Sequence, residues 1–140
     1  MAHQIQDIMS KQVQCVERDT TLRDVARLMQ EKRIGDVLVT ERDGRLCGIL
    51  TDRDVVVRAV ASGRDMDSTG AGEICSGDMA QLEPTSSVDQ AVRLMREHAI
   101  RRVPVVKDGV AVGIVSIGDL ARALDPSSAL AEISNAPPNT

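Results

Sequence analysis

The chain has 140 residues, a formal net charge of −4 and 42% hydrophobic residues, with no Phe, Tyr or Trp. That length suits one compact domain, and its core must be built from Val, Ile, Leu, Met and Ala. The acidic balance and the lack of rings argue against modules that stack bases, and they give no general attraction to phosphate backbones or anionic membranes.

No apolar run approaches a membrane span, and the start Met1-Ala2-His3-Gln4 lacks a basic-then-apolar leader pattern, so a cytoplasmic location is expected. Cys15, Cys47 and Cys75 are widely spaced and odd in number, which reads as small core residues rather than a disulfide framework or metal site. His3 and His98 form no ligand-spaced cluster, and His98 ends a charged helix where solvent exposure is expected.

In chain order, Gln4 to Met9 reads as a short helical lead-in and Val13 to Val16 as a strand. Leu22, Val25, Ala26, Leu28 and Met29 recur at helical spacing. Val37 to Thr40 and Leu46 to Leu50 read as strands joined at Arg42-Asp43-Gly44, followed by a helix from Asp52 to Ser62. The polar, glycine-containing stretch 63–72 is expected to be a linker. Met79 to Leu82 weakly echoes the first strand, and Ser86-Ser87-Val88-Asp89 resembles a capping box opening a helix through Val88, Ala91, Val92, Leu94 and Met95. Strands Val103 to Val106 and Ala111 to Val115 then flank Asp108-Gly109, and Ile117 to Leu124 closes the pattern as a helix. Residues 125–140 are expected to be a flexible tail.

These elements are one unit written twice. Ile8 to Val39 and Ile74 to Val105 align at a constant offset of 66, with ten of 32 pairs identical; chance would give roughly two. After one deletion, Gly48-Ile49-Leu50-Thr51-Asp52-Arg53-Asp54 matches Gly113-Ile114-Val115-Ser116-Ile117-Gly118-Asp119. The predicted fold is α/β (α+β), two β-α-β-β-α repeats with pseudo-two-fold symmetry. Boundaries of 5–62 for the first motif, 63–72 for the linker and 73–124 for the second follow from the pattern.

The repeated Gly-hydrophobic-hydrophobic-Thr/Ser-x-x-Asp element, with Ile100-Arg101-Arg102-Val103-Pro104-Val105-Val106, resembles a pair of CBS motifs, the cystathionine β-synthase repeat. Thr51 to Arg58 followed by Ala61-Ser62-Gly63 is similar to small stand-alone CBS-pair proteins of the hypoxic-response type. The resemblance covers roughly residues 5–124. It implies sensing of an adenosine ligand, although fold does not settle function.

Two readings of Thr51 and Asp54 stand side by side. One is a capping box at a helix N-terminus. In the other, the same hydroxyl meets a phosphate and the carboxylate accepts hydrogen bonds from ribose hydroxyls, beside free helix amides that favour anions. The resemblance implies that Thr51 and Asp54 face Arg101 and Arg102, which suit phosphate, with Arg53 as a further contact. It also implies a weaker second position in which Ser116 and Asp119 face Gly35 and Asp36, with Leu38 in place of the family proline. Ile49 and Val103, with Ile34 or Ile100, are candidate walls for adenine. The implied function is a non-enzymatic module binding AMP, ADP or ATP, with no required cofactor or metal. Implied partners are a second copy of the chain, the nucleotide and an unidentified effector protein; no nucleic acid or membrane is expected. The homodimer is expected because Val55, Val56 and Val57 span more than one helix face. The rivals are a ligand-free scaffold and, with less support, a nucleotide-acting enzyme; no nucleophile–base pair or Walker-type loop is present in the sequence.

Overall fold

The computed structural model describes residues 4–77 and 80–136. Expectations for His3, Met79 and residues 137–140 lie outside the described residues. The chain divides into two compact units: residues 14–77 form one, and residues 4–13 with 80–136 form the other.

In the first unit, β1 (Cys15–Glu17) leads to α1 (Leu22–Lys32), β2 (Asp36–Thr40) and β3 (Leu46–Thr51). β1 pairs parallel to β2, and β2 pairs antiparallel to β3. Thr21 caps α1 by accepting from Asp24 N at 3.2 Å, and the helix ends at Arg33 with φ 55°. Leu22, Val25 and Met29 fall on one stripe of α1 and pack with Val37, Val39 and Leu50 of the sheet.

After β3, the helix expected from Asp52 to Ser62 splits. A short α2 (Asp52–Asp54) continues into a π-helical segment, Val55–Val60, in which Ala61 N bonds Val56 O at 3.0 Å. Valines stiff at χ1 crowd the preceding turn of an α-helix, and widening to an i→i−5 bond relieves that crowding. Val55 and Ala59 are buried, whereas Val56, Val57 and Val60 are exposed.

The stretch 63–72, expected as the linker between the motifs, is bonded to the first unit. Leu22 N bonds Thr69 O at 3.0 Å, Ala71 N bonds Thr20 O at 2.7 Å, and Thr69 is buried. A helix, α3 (Ala71–Ile74), begins inside it, with Ala71 and Ile74 in the core of the first unit. The Gly70 N–H donates to Glu73 at 2.7 Å, and this bond with the nearby Arg64 holds the Glu73 carboxyl below its ordinary range.

In the second unit, α4 (Val88–His98) precedes an antiparallel hairpin of β4 (Arg102–Lys107) and β5 (Val110–Ser116), then α5 (Ile117–Leu124). The box that opens α4 is shifted by one residue from the expectation. Ser87 accepts from Gln90 N at 3.1 Å and Gln90 Oε1 accepts from Ser87 N at 2.9 Å, while the Ser86 hydroxyl accepts from Glu83 N. The hairpin turns through Asp108 (φ 54°) and Gly109 (φ 81°), the two positive φ values of a tight two-residue turn. Leu82 bridges parallel to Val105, the position that β1 holds in the first unit. Part of the expected tail is helical: α6 (Ala129–Asn135) is capped by Ser128 and buries Ala131 completely.

Neither unit is a contiguous repeat, because each lead-in belongs to the sheet of the other copy. Ser10 exchanges both backbone hydrogen bonds with Ile114, at 2.9 and 3.0 Å, and Ile5 sits in the core of the second unit. Ser76 does the same with Ile49, at 3.2 and 3.0 Å. The motif glycines mark both crossings. A Cβ on Gly48 would collide with the Ser76 carbonyl and lie 2.9 Å from Cys75 Sγ. A Cβ on Gly113 would meet the flexible Met9 side chain and, at 3.0 Å, the Ser10 carbonyl. Gly48→Ala should therefore destabilise the protein by about 1–3 kcal/mol, because a backbone segment must give way. Gly113→Ala should cost less, since Met9 can move; urea unfolding of both variants measures the difference, and equal costs would contradict this origin of the glycines.

Candidate functional site

The repeated Thr/Ser-x-x-Asp element places its side chains at the turn from the last strand of each unit into the following helix. Both capping boxes are formed. Asp54 N donates to Thr51 Oγ1 at 3.0 Å and Thr51 N donates to Asp54 Oδ2 at 3.0 Å. Asp119 N donates to Ser116 Oγ at 3.1 Å and Ser116 N donates to Asp119 Oδ2 at 2.8 Å. The capping reading therefore holds in both copies, and each carboxylate keeps one oxygen, Oδ1, for other work.

That remaining oxygen distinguishes the copies. Asp119 Oδ1 is taken by the Arg122 guanidinium one helical turn on, in a pair where the Asp119 side chain is 11% exposed. Asp54 Oδ1 has no hydrogen-bond partner among the described residues, and both Thr51 and Asp54 are half-buried. The position matching Arg122 carries Val57, which cannot compete for the carboxylate. The first-copy aspartate thus keeps an acceptor oxygen that Arg122 takes in the second copy, and no motif in the sequence signals this difference.

Each cap also has its own charged neighbours. Asp36 lies directly across from Thr51 in the β2–β3 ladder, and Asp52 N donates to Gly35 O at 2.9 Å. The first unit therefore gathers Ile49, Thr51, Arg53 and Asp54 with the acidic Asp36 and Asp52. Arg102 lies directly across from Ser116 in the β4–β5 ladder, and Ile117 N donates to Arg101 O at 2.9 Å. The second unit gathers Arg101, Arg102, Val103, Ser116 and Asp119. Paired residues across a ladder face the same side of the sheet, so Arg102 is a neighbour of the Ser116 cap within its own unit. The pairing of Thr51 and Asp54 with Arg101 and Arg102, and of Ser116 and Asp119 with Asp36, draws residues from both units.

Arg53, Arg101 and Arg102 are exposed. Ile49 is half-buried, whereas Val103 is 0% exposed within the core of the second unit, where Ile100 also packs. Ile34 packs against the first core. His98 is exposed, as its place at the end of a charged helix implies. Among the cysteines, Cys47 and Cys75 pack against the first core, but Cys15 is exposed on the short strand β1 and does not serve as a core residue. Among the described residues, no group of three or more His, Cys, Asp or Glu side chains is arranged to hold a metal ion. No helix among them is long and apolar enough to cross a membrane.

The CBS-domain family model matches residues 5–60 and 71–126. The chain belongs to the CBS-domain family. It is 39% identical over 118 residues to hypoxic response protein 1 of Mycobacterium tuberculosis, covering 84% of this chain and 82% of that protein. It is 40% identical over 117 residues to the CBS domain-containing protein YhcV of Bacillus subtilis, with the same coverage. Among solved structures, Hypoxic Response Protein I with two coordinated zinc ions superposes with a TM-score of 0.81 at 38% identity, covering 87% of this chain and 99% of that one. A hexameric CBS-CP12 protein from bloom-forming cyanobacteria superposes with a TM-score of 0.75 at 28% identity. The two repeats and the mixed α+β architecture are those of a CBS pair, the regulatory module of this family.

Proposed function

We propose that this CBS pair is a non-enzymatic, cytoplasmic sensor that binds an adenine nucleotide, AMP, ADP or ATP, and signals through a partner protein. The observation that carries the proposal is the Thr51–Asp54 cap, whose second carboxylate oxygen has no hydrogen-bond partner among the described residues, while its copy in Asp119 is held by Arg122. Asp54 Oδ1 would accept from the ribose hydroxyls and Thr51 would orient the phosphate end, with the exposed Arg101, Arg102 and Arg53 supplying positive charge. Three carboxylates around Thr51 make such arginines necessary for any phosphate ligand. Ile49, half-buried, is the proposed apolar contact for adenine; Val103, expected beside it, is wholly buried in the second core and has no surface to offer a ligand. Ser116, Asp119 and Asp36 form the proposed weaker second position. The module needs no cofactor for this role, and the ligand acts by favouring one of two states of the module.

A second reading follows from the ladders: an anion held by one unit alone would choose the Ser116 cap, which has Arg102 opposite it. Titration calorimetry with AMP and adenosine separates the two. Asp54→Ala should weaken AMP by about tenfold or more, the loss of a charge-assisted hydrogen bond, and Asp119→Ala by much less. Arg102→Ala should weaken AMP more than adenosine, with the difference narrowing at high salt. Urea unfolding controls for the lost caps. Stronger dependence on Asp119 would favour the single-unit reading, and absence of any heat would favour a ligand-free scaffold.

The first macromolecular partner we propose is a second copy of the chain, joined through the π-helical segment. Val56, Val57 and Val60 are 59%, 46% and 56% exposed, an apolar stripe that closed two-fold pairing would cover. Sedimentation at micromolar concentration should give a dimer that Val57→Asp converts to monomer; a monomeric parent protein would contradict the pairing.

A further inference from the structure

Two of the three cysteines meet where the 71–76 segment crosses the edge of β3. Cys47 Sγ and Cys75 Sγ are 3.8 Å apart, and neither has a role in the proposed nucleotide site. Cys47 lies on β3 and Cys75 directly follows α3, so the sulfurs join two segments already aligned by the Ile49–Ser76 hydrogen bonds. We propose that Cys47 and Cys75 are a reversible redox pair whose disulfide fastens the 71–76 segment to β3. Bond formation requires the two sulfurs to close from 3.8 Å to about 2.0 Å by movement of their side chains.

The oxidant class is a low-molecular-weight disulfide. One cysteine thiolate attacks a sulfur of the oxidant, breaks its S–S bond and releases one small thiolate. The second cysteine, having lost its proton, attacks the mixed disulfide, forms the Cys47–Cys75 bond and releases the second small thiolate. Two protein thiols are oxidised, one small disulfide is reduced, and the two protons pass to the departing thiolates. Burial and the neighbouring Cys47 push the Cys75 thiol up to about 11, with Arg18 and Arg58 opposing. Cys75 is therefore protonated at neutral pH, and exchange accelerates as the pH rises towards that value. The exposed Cys15 is unlinked to the pair and is removed to prevent cross-linking between chains.

The Cys15→Ser protein is incubated with oxidised glutathione in mildly alkaline buffer, then analysed by intact mass, non-reducing peptide mapping and thermal unfolding. The expected product has lost two hydrogens, carries a Cys47–Cys75 peptide link and unfolds about 5–10 °C higher, because the cross-link restricts the unfolded chain. Dithiothreitol should reverse the shift, and amide exchange in residues 71–76 should slow. Cys47→Ser and Cys75→Ser should each leave the other cysteine as a glutathione adduct. Inertness towards the oxidant, stable adducts on both cysteines of the parent, or a closed ring that changes neither Tm nor exchange would overturn the proposal.

Discussion

The structure depends on two antiparallel backbone exchanges, Ser10 with Ile114 and Ser76 with Ile49. Each places a lead-in on the free edge of the last strand in a sheet of only a few short strands. An unpaired edge exposes backbone donors and acceptors, and the lead-in satisfies them while delivering apolar side chains to the core beneath. Ile5 is wholly buried and Ile74 nearly so, each in the core of the unit whose edge its segment covers. With no Phe, Tyr or Trp in the chain, the cores are built from aliphatic and sulfur-containing side chains, and both isoleucines add buried apolar area to them. Gly48 and Gly113 allow the close approach, and three residues further on the same strands end in the Thr51 and Ser116 caps. The edge crossing and the candidate ligand residues are therefore positioned by one short stretch of backbone.

The cap geometry explains how one element can serve stability and recognition together. A threonine or serine at the N-cap and an aspartate at N3 use one oxygen each to bind the first free amides of the helix. An aspartate carboxylate has a second oxygen, so the same side chain can be fixed in place by the cap and still receive a ligand. Fixing its rotamer in advance lowers the entropic cost of binding. In the second copy, Arg122 occupies that oxygen, and duplication has left two structurally equivalent caps with unequal capacity.

Much of this was legible in the sequence because periodicity and duplication report local structure directly. Helix α5 falls where the apolar spacing puts it, and all four hairpin strands lie within one residue of expectation at each end. The lead-in exchange was not legible, since the offset of 66 aligns Ser10 with Ser76 without saying which sheet either joins. The polar composition of residues 63–72 hides buried Thr69 and the backbone bonds to the start of α1. Helix α6 was hidden by the Pro and Ser residues around it, although Ser128 is its cap. The Thr/Ser-x-x-Asp element announced its caps, but the difference between Asp54 and Asp119 rests on Arg122, one turn beyond the motif. The proximity of Cys47 and Cys75 likewise depends on the exchanged segment.

Native mass spectrometry of the intact protein with AMP, ADP and ATP measures nucleotide binding by reading occupancy per chain, without relying on any substitution. A saturable adduct of one adenine nucleotide per chain is expected at micromolar concentrations, with the nucleotide recovered unchanged. Absence of an adduct with all three nucleotides, or their conversion to products, would contradict the proposed function.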